Sequence, residues 1–81
     1  MKRIVWTEPA RADVRRLDKS TAMRVLAALH RFAEFGEGDV KALTGREELR
    51  LRIENYRLLF VSAPNDTLEI QRVLHRGDAY R

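Results

Sequence analysis

Between residues 49 and 53, apolar and charged side chains alternate: Leu49, Leu51 and Ile53 against Arg50 and Arg52. A period of two sets the apolar residues on one side of a sheet and both arginines on the other. A second extended run follows in Leu58-Leu59-Phe60-Val61. Glu54-Asn55 between the runs predicts a tight hairpin turn, with Asn supplying the left-handed conformation that such turns often need. Arg57 falls just past that turn. A hairpin bearing Arg50, Arg52 and Arg57 is either a surface for a polyanion or a set of edge charges that keeps the sheet soluble, and the pattern leaves both open.

The same pattern organises the rest of the chain. Lys2 to Thr7 reads as a short strand, with Ile4 and Trp6 on one face and Val5 on the other. Thr7-Glu8-Pro9 marks a helix start, since Pro at the first helical position loses no hydrogen bond. Ala10, Val14 and Leu17 then recur at helical spacing, and Arg11, Arg15 and Arg16 lie mostly off that stripe. Asp18 to Ser20 reads as a break and a new cap. The second helix runs to about Phe35, with a broad stripe of Ala22, Val25, Leu26, Leu29, Phe32 and Ala33 and with His30 at its border. Gly36-Glu37-Gly38-Asp39 ends it. Val40 to Gly45 reads as a linker, with Val40 and Leu43 tucked against the core. After the hairpin, Ser62 to Asp66 is a turn and Thr67 to Leu74 the last strand. In that strand Leu68, Ile70 and Leu74 share one parity with Arg72, whereas Val73 has the other, as in a strand covered on both sides. The expected fold is α+β: a small antiparallel sheet of about four strands with two N-terminal helices on one face, in the order β-α-α-β-β-β.

Composition narrows the chemistry. Eighty-one residues make one domain, spanning 1–81. No cysteine is present, which excludes disulfides and thiolate metal sites. Two histidines far apart make no ligand set, so no metal or other cofactor is expected. The glycines match no phosphate-loop spacing. Nothing reads as a signal segment or a membrane span, which makes the cytoplasm the expected location and a membrane an unexpected partner. The net charge of +4 favours a nucleic acid or an acidic protein as partner without choosing between them. Arginine outnumbers lysine, and its planar fork suits phosphate and carboxylate.

Taken in order, the opening strand with Glu8-Pro9-Ala10, the helix pair, Val40-Lys41-Ala42-Leu43-Thr44-Gly45, Leu49-Arg50-Leu51-Arg52, Asn55-Tyr56-Arg57-Leu58-Leu59-Phe60, Val73-Leu74-His75-Arg76 and Tyr80 resemble the RelE/ParE superfamily of type II toxin–antitoxin toxins, closer to its RelE-like branch. The resemblance spans nearly the whole chain and implies a toxin neutralised by a cognate antitoxin. The RelE-like branch cleaves messenger RNA on the ribosome without metal, and the ParE-like branch poisons DNA gyrase. One scaffold serves both, so fold alone does not assign the target. A catalytically inactive toxin scaffold is the third alternative.

For the RNase alternative, the resemblance implies a site of Arg50, Arg57, His75, Arg76 and Tyr80. Arg57 matches the arginine after the hairpin, Arg76 the C-terminal arginine and Tyr80 the terminal aromatic. Arg50 stands where a catalytic lysine is common, and Glu48 where a second lysine can lie. Cleavage by the 2′-hydroxyl requires a proton acceptor, charge neutralisation at the phosphorane and a proton donor. Arg57 and Arg76 suit the phosphate, and Arg50 adds to the field but stays protonated. The imidazole of His75 suits acid or base work, or His75 is simply a strand-end residue bonded to nearby backbone. Tyr80 suits proton donation or base stacking. The antitoxin is expected to present an acidic or amphipathic segment to the helix pair or to the basic sheet face.

Overall fold

The structure is a computed structural model and describes residues 2–77. It is built from β1 (Arg3–Trp6), α1 (Glu8–Arg15), α2 (Lys19–Phe35), β2 (Asp39–Ala42), β3 (Leu49–Ile53), β4 (Tyr56–Ala63) and β5 (Thr67–His75). The five strands form one sheet in the order β1-β5-β4-β3-β2. Both helices precede the hairpin strands, as the hydrophobic pattern predicts. The sheet is mixed: β1 runs parallel to β5, and the other pairs are antiparallel. A fifth strand, β2, stands where the pattern suggests only a linker. Four residues with one half-buried side chain, Val40, give too little alternation to announce a strand. Pairing with β3 makes it one.

Local chemistry fixes the helix boundaries. Thr7 caps α1 by accepting from the Ala10 amide, and its hydroxyl donates to the Ile70 carbonyl at 2.8 Å. One side chain therefore starts a helix and pins that start to β5. The Asp18 carboxylate caps α2 by accepting from the Thr21 amide. Gly36 ends α2 in the left-handed conformation, where its amide donates to Phe32 at 2.8 Å. Two residues on, the chain passes so close to the sheet that a Cβ on Gly38 would lie 2.7 Å from Leu51 Cδ1.

The helices cover one sheet face. Val25, Leu29 and Ala33 of α2 and Ala10 of α1 meet Leu51, Ile53, Leu58, Phe60, Leu68, Ile70 and Val73. Burial of each large side chain contributes about 1.5–3 kcal/mol, so this layer supplies most of the favourable free energy. The mixed parity of β5 comes from an irregularity in its pairing with β4. Phe60 pairs with Ile70, but Leu59 pairs with Arg72, so Gln71 is an extra residue. The bulge returns Val73 to the core and sends Leu74 to the opposite face. The hairpin turn also departs from expectation: Glu54, not Asn55, takes the positive φ of 54°. Glu54 is held there by Arg24 of α2, whose Nε donates to its carboxylate at 2.8 Å.

Candidate functional site

Cross-strand register brings the hairpin arginines together on the face away from the helices. Arg52 pairs with Arg57, Arg50 pairs with Leu59, and on the outer side of β3 Lys41 pairs with Arg50. Four cationic side chains thus occupy adjoining positions on three strands. Asp39 lies across from Arg52 at the sheet margin. Leu59 and Leu74 complete the patch from β4 and β5, where Arg57 pairs with Leu74. Like charges directly opposite each other destabilise a sheet. A basic cluster placed here is a local conflict of the sort that marks functional surfaces.

The two central arginines are partly withdrawn from water. Arg57 is 6% exposed, and Arg50 is half-buried, its Nε sequestered without a hydrogen-bond partner. A desolvated cationic donor costs stability unless an acceptor reaches it. The face can therefore clamp the oxygens of an anion by charge-assisted bonds in a setting of reduced dielectric. Lys41 escapes notice in the sequence because its short strand carries no clear pattern.

His75 lies elsewhere. It pairs with Tyr56, and the two rings meet edge to face, with centroids 5.2 Å apart and an interplanar angle of 84°. Tyr56 packs against the core, on the helix side of the sheet. His75 and Tyr56 are thus separated by the sheet from Arg50 and Arg57, although each adjoins a basic-face residue in sequence. The Nδ1 of His75 accepts from the Gly77 amide at 3.3 Å, a local backbone bond that shapes the chain end. Arg76 is exposed, and its amide donates to Asn55, which ties the end of β5 to the hairpin turn. Tyr80 lies outside the described residues.

A second polar site follows from the bulge. Asp13 of α1 is 6% exposed and accepts from Arg72 Nε at 2.8 Å and from Arg72 Nη2 at 3.2 Å. It also accepts from the Val73 amide at 2.9 Å. β1 ends opposite Ile70, so the amide of Val73 lies past the last strand-to-strand pair on that edge. Asp13 takes the place of a pairing strand there. Burial pushes its carboxyl pKa up. The Arg72 bond, the Val73 amide and the charges of Arg72 and Arg16 outweigh that and hold it below the usual carboxylate range. The signal in the sequence was Arg72, a charge out of pattern in an apolar strand.

Among the described residues, no group of three or more His, Cys, Asp or Glu side chains is placed to hold a metal ion, and no helix is long and apolar enough to cross a membrane.

Comparison with known proteins adds a family and a set of folds. Residues 4–80 match the family model described as ParE toxin of type II toxin–antitoxin system, parDE. Among solved structures, the RelB–RelE antitoxin–toxin complex from Methanococcus jannaschii contains a chain 21% identical, with a TM-score of 0.75 and coverage of 94% of each chain. The toxin–antitoxin complex RelBE2 from Mycobacterium tuberculosis gives 26% identity and a TM-score of 0.63, over 93% of this chain and 98% of that one. The YoeB–YefM complex from Staphylococcus aureus gives 15% identity and a TM-score of 0.73, over 93% of this chain and 97% of that one. No curated protein matches the chain. The fold is RelE-like, and the matched sequence family carries the ParE name, so the two comparisons meet on one scaffold.

Proposed function

The chain belongs to the ParE toxin family of type II toxin–antitoxin systems, within the RelE/ParE superfamily, and on that basis we propose that it is a toxin acting on messenger RNA through its basic sheet face. The observation that supports this reading is the half-buried Arg50, which carries an unpartnered Nε, pairs across strands with Lys41 and lies diagonal to Arg57 in the sheet. An RNA phosphate supplies the acceptor oxygens that such a donor lacks. In the proposed reaction the 2′-hydroxyl attacks the adjacent phosphate. A P–O bond forms to the 2′-oxygen, the bond to the 5′-oxygen breaks, and the proton lost from the hydroxyl is balanced by one gained at the leaving oxygen. Arg57 and Arg50 neutralise the phosphorane, Arg76 adds charge from the end of β5, and Tyr80 is the candidate for proton transfer, since His75 is turned to the other face of the sheet. The ribosome supplies the setting in which messenger RNA is presented, and the cognate antitoxin is the neutralising partner.

One observation favours the alternative target, DNA gyrase. His75 lies on the far side of the sheet from Arg57, leaving the described part of the basic face without a group that titrates near neutrality. The two readings separate in one experiment. After induction without antitoxin, 5′ ends of cellular messages are mapped by primer extension and purified gyrase is assayed for supercoiling. New 5′ ends within coding sequence, with supercoiling unaffected, support the RNase. Intact messages with inhibited or trapped gyrase overturn it in favour of the alternative.

A further inference from the structure

At the end of the sheet beyond α1 lies a cleft of about 400 Å³, lined by Asp13, Arg16, Tyr56, Arg72, Val73 and His75 together with two leucines. It opens at the sheet edge beside α1, and of the residues that form the basic patch only Leu74 borders it. Its volume lies within the range of small-ligand sites. We propose that this cleft is a nucleotide subsite, receiving the base and phosphate of a residue that flanks the one held on the basic face. The inference rests on the RNA reading above and deepens it.

Charge and shape both point to a nucleotide. Arg72 is engaged by Asp13 in a two-point ion pair, so its charge is largely compensated. Arg16 is exposed at the end of α1 and makes no ion pair among the described residues. The lining thus sets two guanidinium groups, Arg16 and Arg72, against one carboxylate, Asp13, and the net positive charge suits one phosphate. Tyr56 and His75 stand edge to face, and in such a pair the ring that offers its edge keeps its own faces for other partners. A flat base is a partner of that kind, and stacking on aromatic side chains is the common mode of single-strand RNA recognition. An acidic peptide fits less well, because it would bring several carboxylates toward Asp13.

The path between the sites is short. Tyr56 and Arg57 are consecutive and lie on opposite sheet faces, and the Arg76 amide is bonded to Asn55 at the same sheet end. A strand leaving the basic face turns round this end, past Arg76, and enters the cleft with its next base.

The test is a titration of the full chain with a trinucleotide RNA, followed through backbone amide shifts, in the wild type and in Tyr56→Phe, Tyr56→Leu and Arg16→Glu. The wild type should show shifts at Arg50 and Arg57 and also at Leu17, Val73 and His75. Tyr56→Phe should bind as the wild type does. Tyr56→Leu should weaken the cleft response about fivefold to a hundredfold, the range for losing one stacked base. Arg16→Glu should weaken it severalfold while the basic-face shifts persist. Arg16 is exposed, so this variant still decides the question if Tyr56→Leu fails to fold. Shifts confined to the basic face, indifferent to both variants, overturn the subsite and leave the RNA reading standing. Cleft shifts produced by an antitoxin peptide but not by RNA assign the cleft to protein and overturn the subsite. No shift at either site, with messages intact in cells, overturns both readings.

Discussion

β3 presents two chemistries at a spacing of one residue. Leu51 and Ile53 lie under the helices at 1% and 7% exposure, while Arg50 and Arg52 point the other way. On the covered face every large side chain meets another, and burial is rewarded directly. On the open face the side chains are cationic and adjacent, Arg57 stands opposite Arg52, and the Nε of Arg50 is sequestered without an acceptor. The first face lowers the free energy of the fold, and on the second the unpartnered Arg50 Nε and the facing Arg52 and Arg57 offset part of that gain. A small domain has little stability to spare, and an arrangement that costs stability at the open face accords with the binding role proposed for it. Asp13 and Arg72 give the internal control. There an arginine meets a buried carboxylate at two points, and the pair seals an edge of β5.

The contrast breaks first under truncation of the covered face. Leu58 is fully buried, and Leu58→Ala should cost about 2–5 kcal/mol, whereas Arg52→Ala should change stability by no more than about 0.5 kcal/mol. Urea denaturation midpoints measure both. Similar losses at the two positions would dissolve the distinction between the faces.

Function should show the reverse order. Arg57→Gln should lower message cleavage by about 10²–10³-fold, as removal of a donor to transition-state charge does. Circular dichroism and thermal melting check that the variant is folded. Undiminished cleavage by a folded Arg57→Gln protein would remove the basic face from the chemistry.

Asp13→Ala should cost about 2–3 kcal/mol, because it leaves the Val73 amide and Arg72 without their acceptor. The pH dependence carries the sign. The folded carboxyl lies below its ordinary value of 3.8, so its stabilising contribution is complete above that value and is lost as pH falls through the folded pKa. Stability of the wild type should therefore decline below about pH 4 more steeply than that of Asp13→Ala. Parallel acid limbs would show that the ion pair does not contribute in this way.

The smallest effect sharpens the comparison most. Arg50→Met keeps the stem volume and removes the sequestered donor. It should raise stability by about 1 kcal/mol while cleavage falls. Thermal melting and the cleavage assay on the same preparation check the two halves. A loss of stability would mean that Arg50 serves the fold.

The alternation of Leu49, Leu51 and Ile53 with Arg50 and Arg52 reports a two-faced strand, because the side-chain period of a strand is a local property. The stripe from Val25 to Ala33 reports α2 for the same reason, and Asp18 and Gly36 mark its ends through their own backbone chemistry. The arginines of the candidate face were legible too, as residue types on one parity. Lys41 was not, since β2 becomes a strand only by pairing with β3. The separation of His75 from Arg57 was hidden for a related reason. Counting along β5 from Leu68 gives the wrong parity until the bulge at Gln71 is known, and that bulge exists only in the pairing with β4.

The sequence by itself therefore determined the elements, their buried stripes and the presence of an arginine-rich hairpin, because periodicity and capping act over a few residues. Tertiary structure decided which residues share a site. The register of β2 against β3 brought Lys41 to Arg50. The bulge in β5 placed Val73 in the core, with its amide on Asp13 and Arg72 beside it. Contacts between residues sixty or more positions apart, such as Asp13 with Val73 and Thr7 with Ile70, depend on how strands pair and where they end, and local sequence carries no record of either.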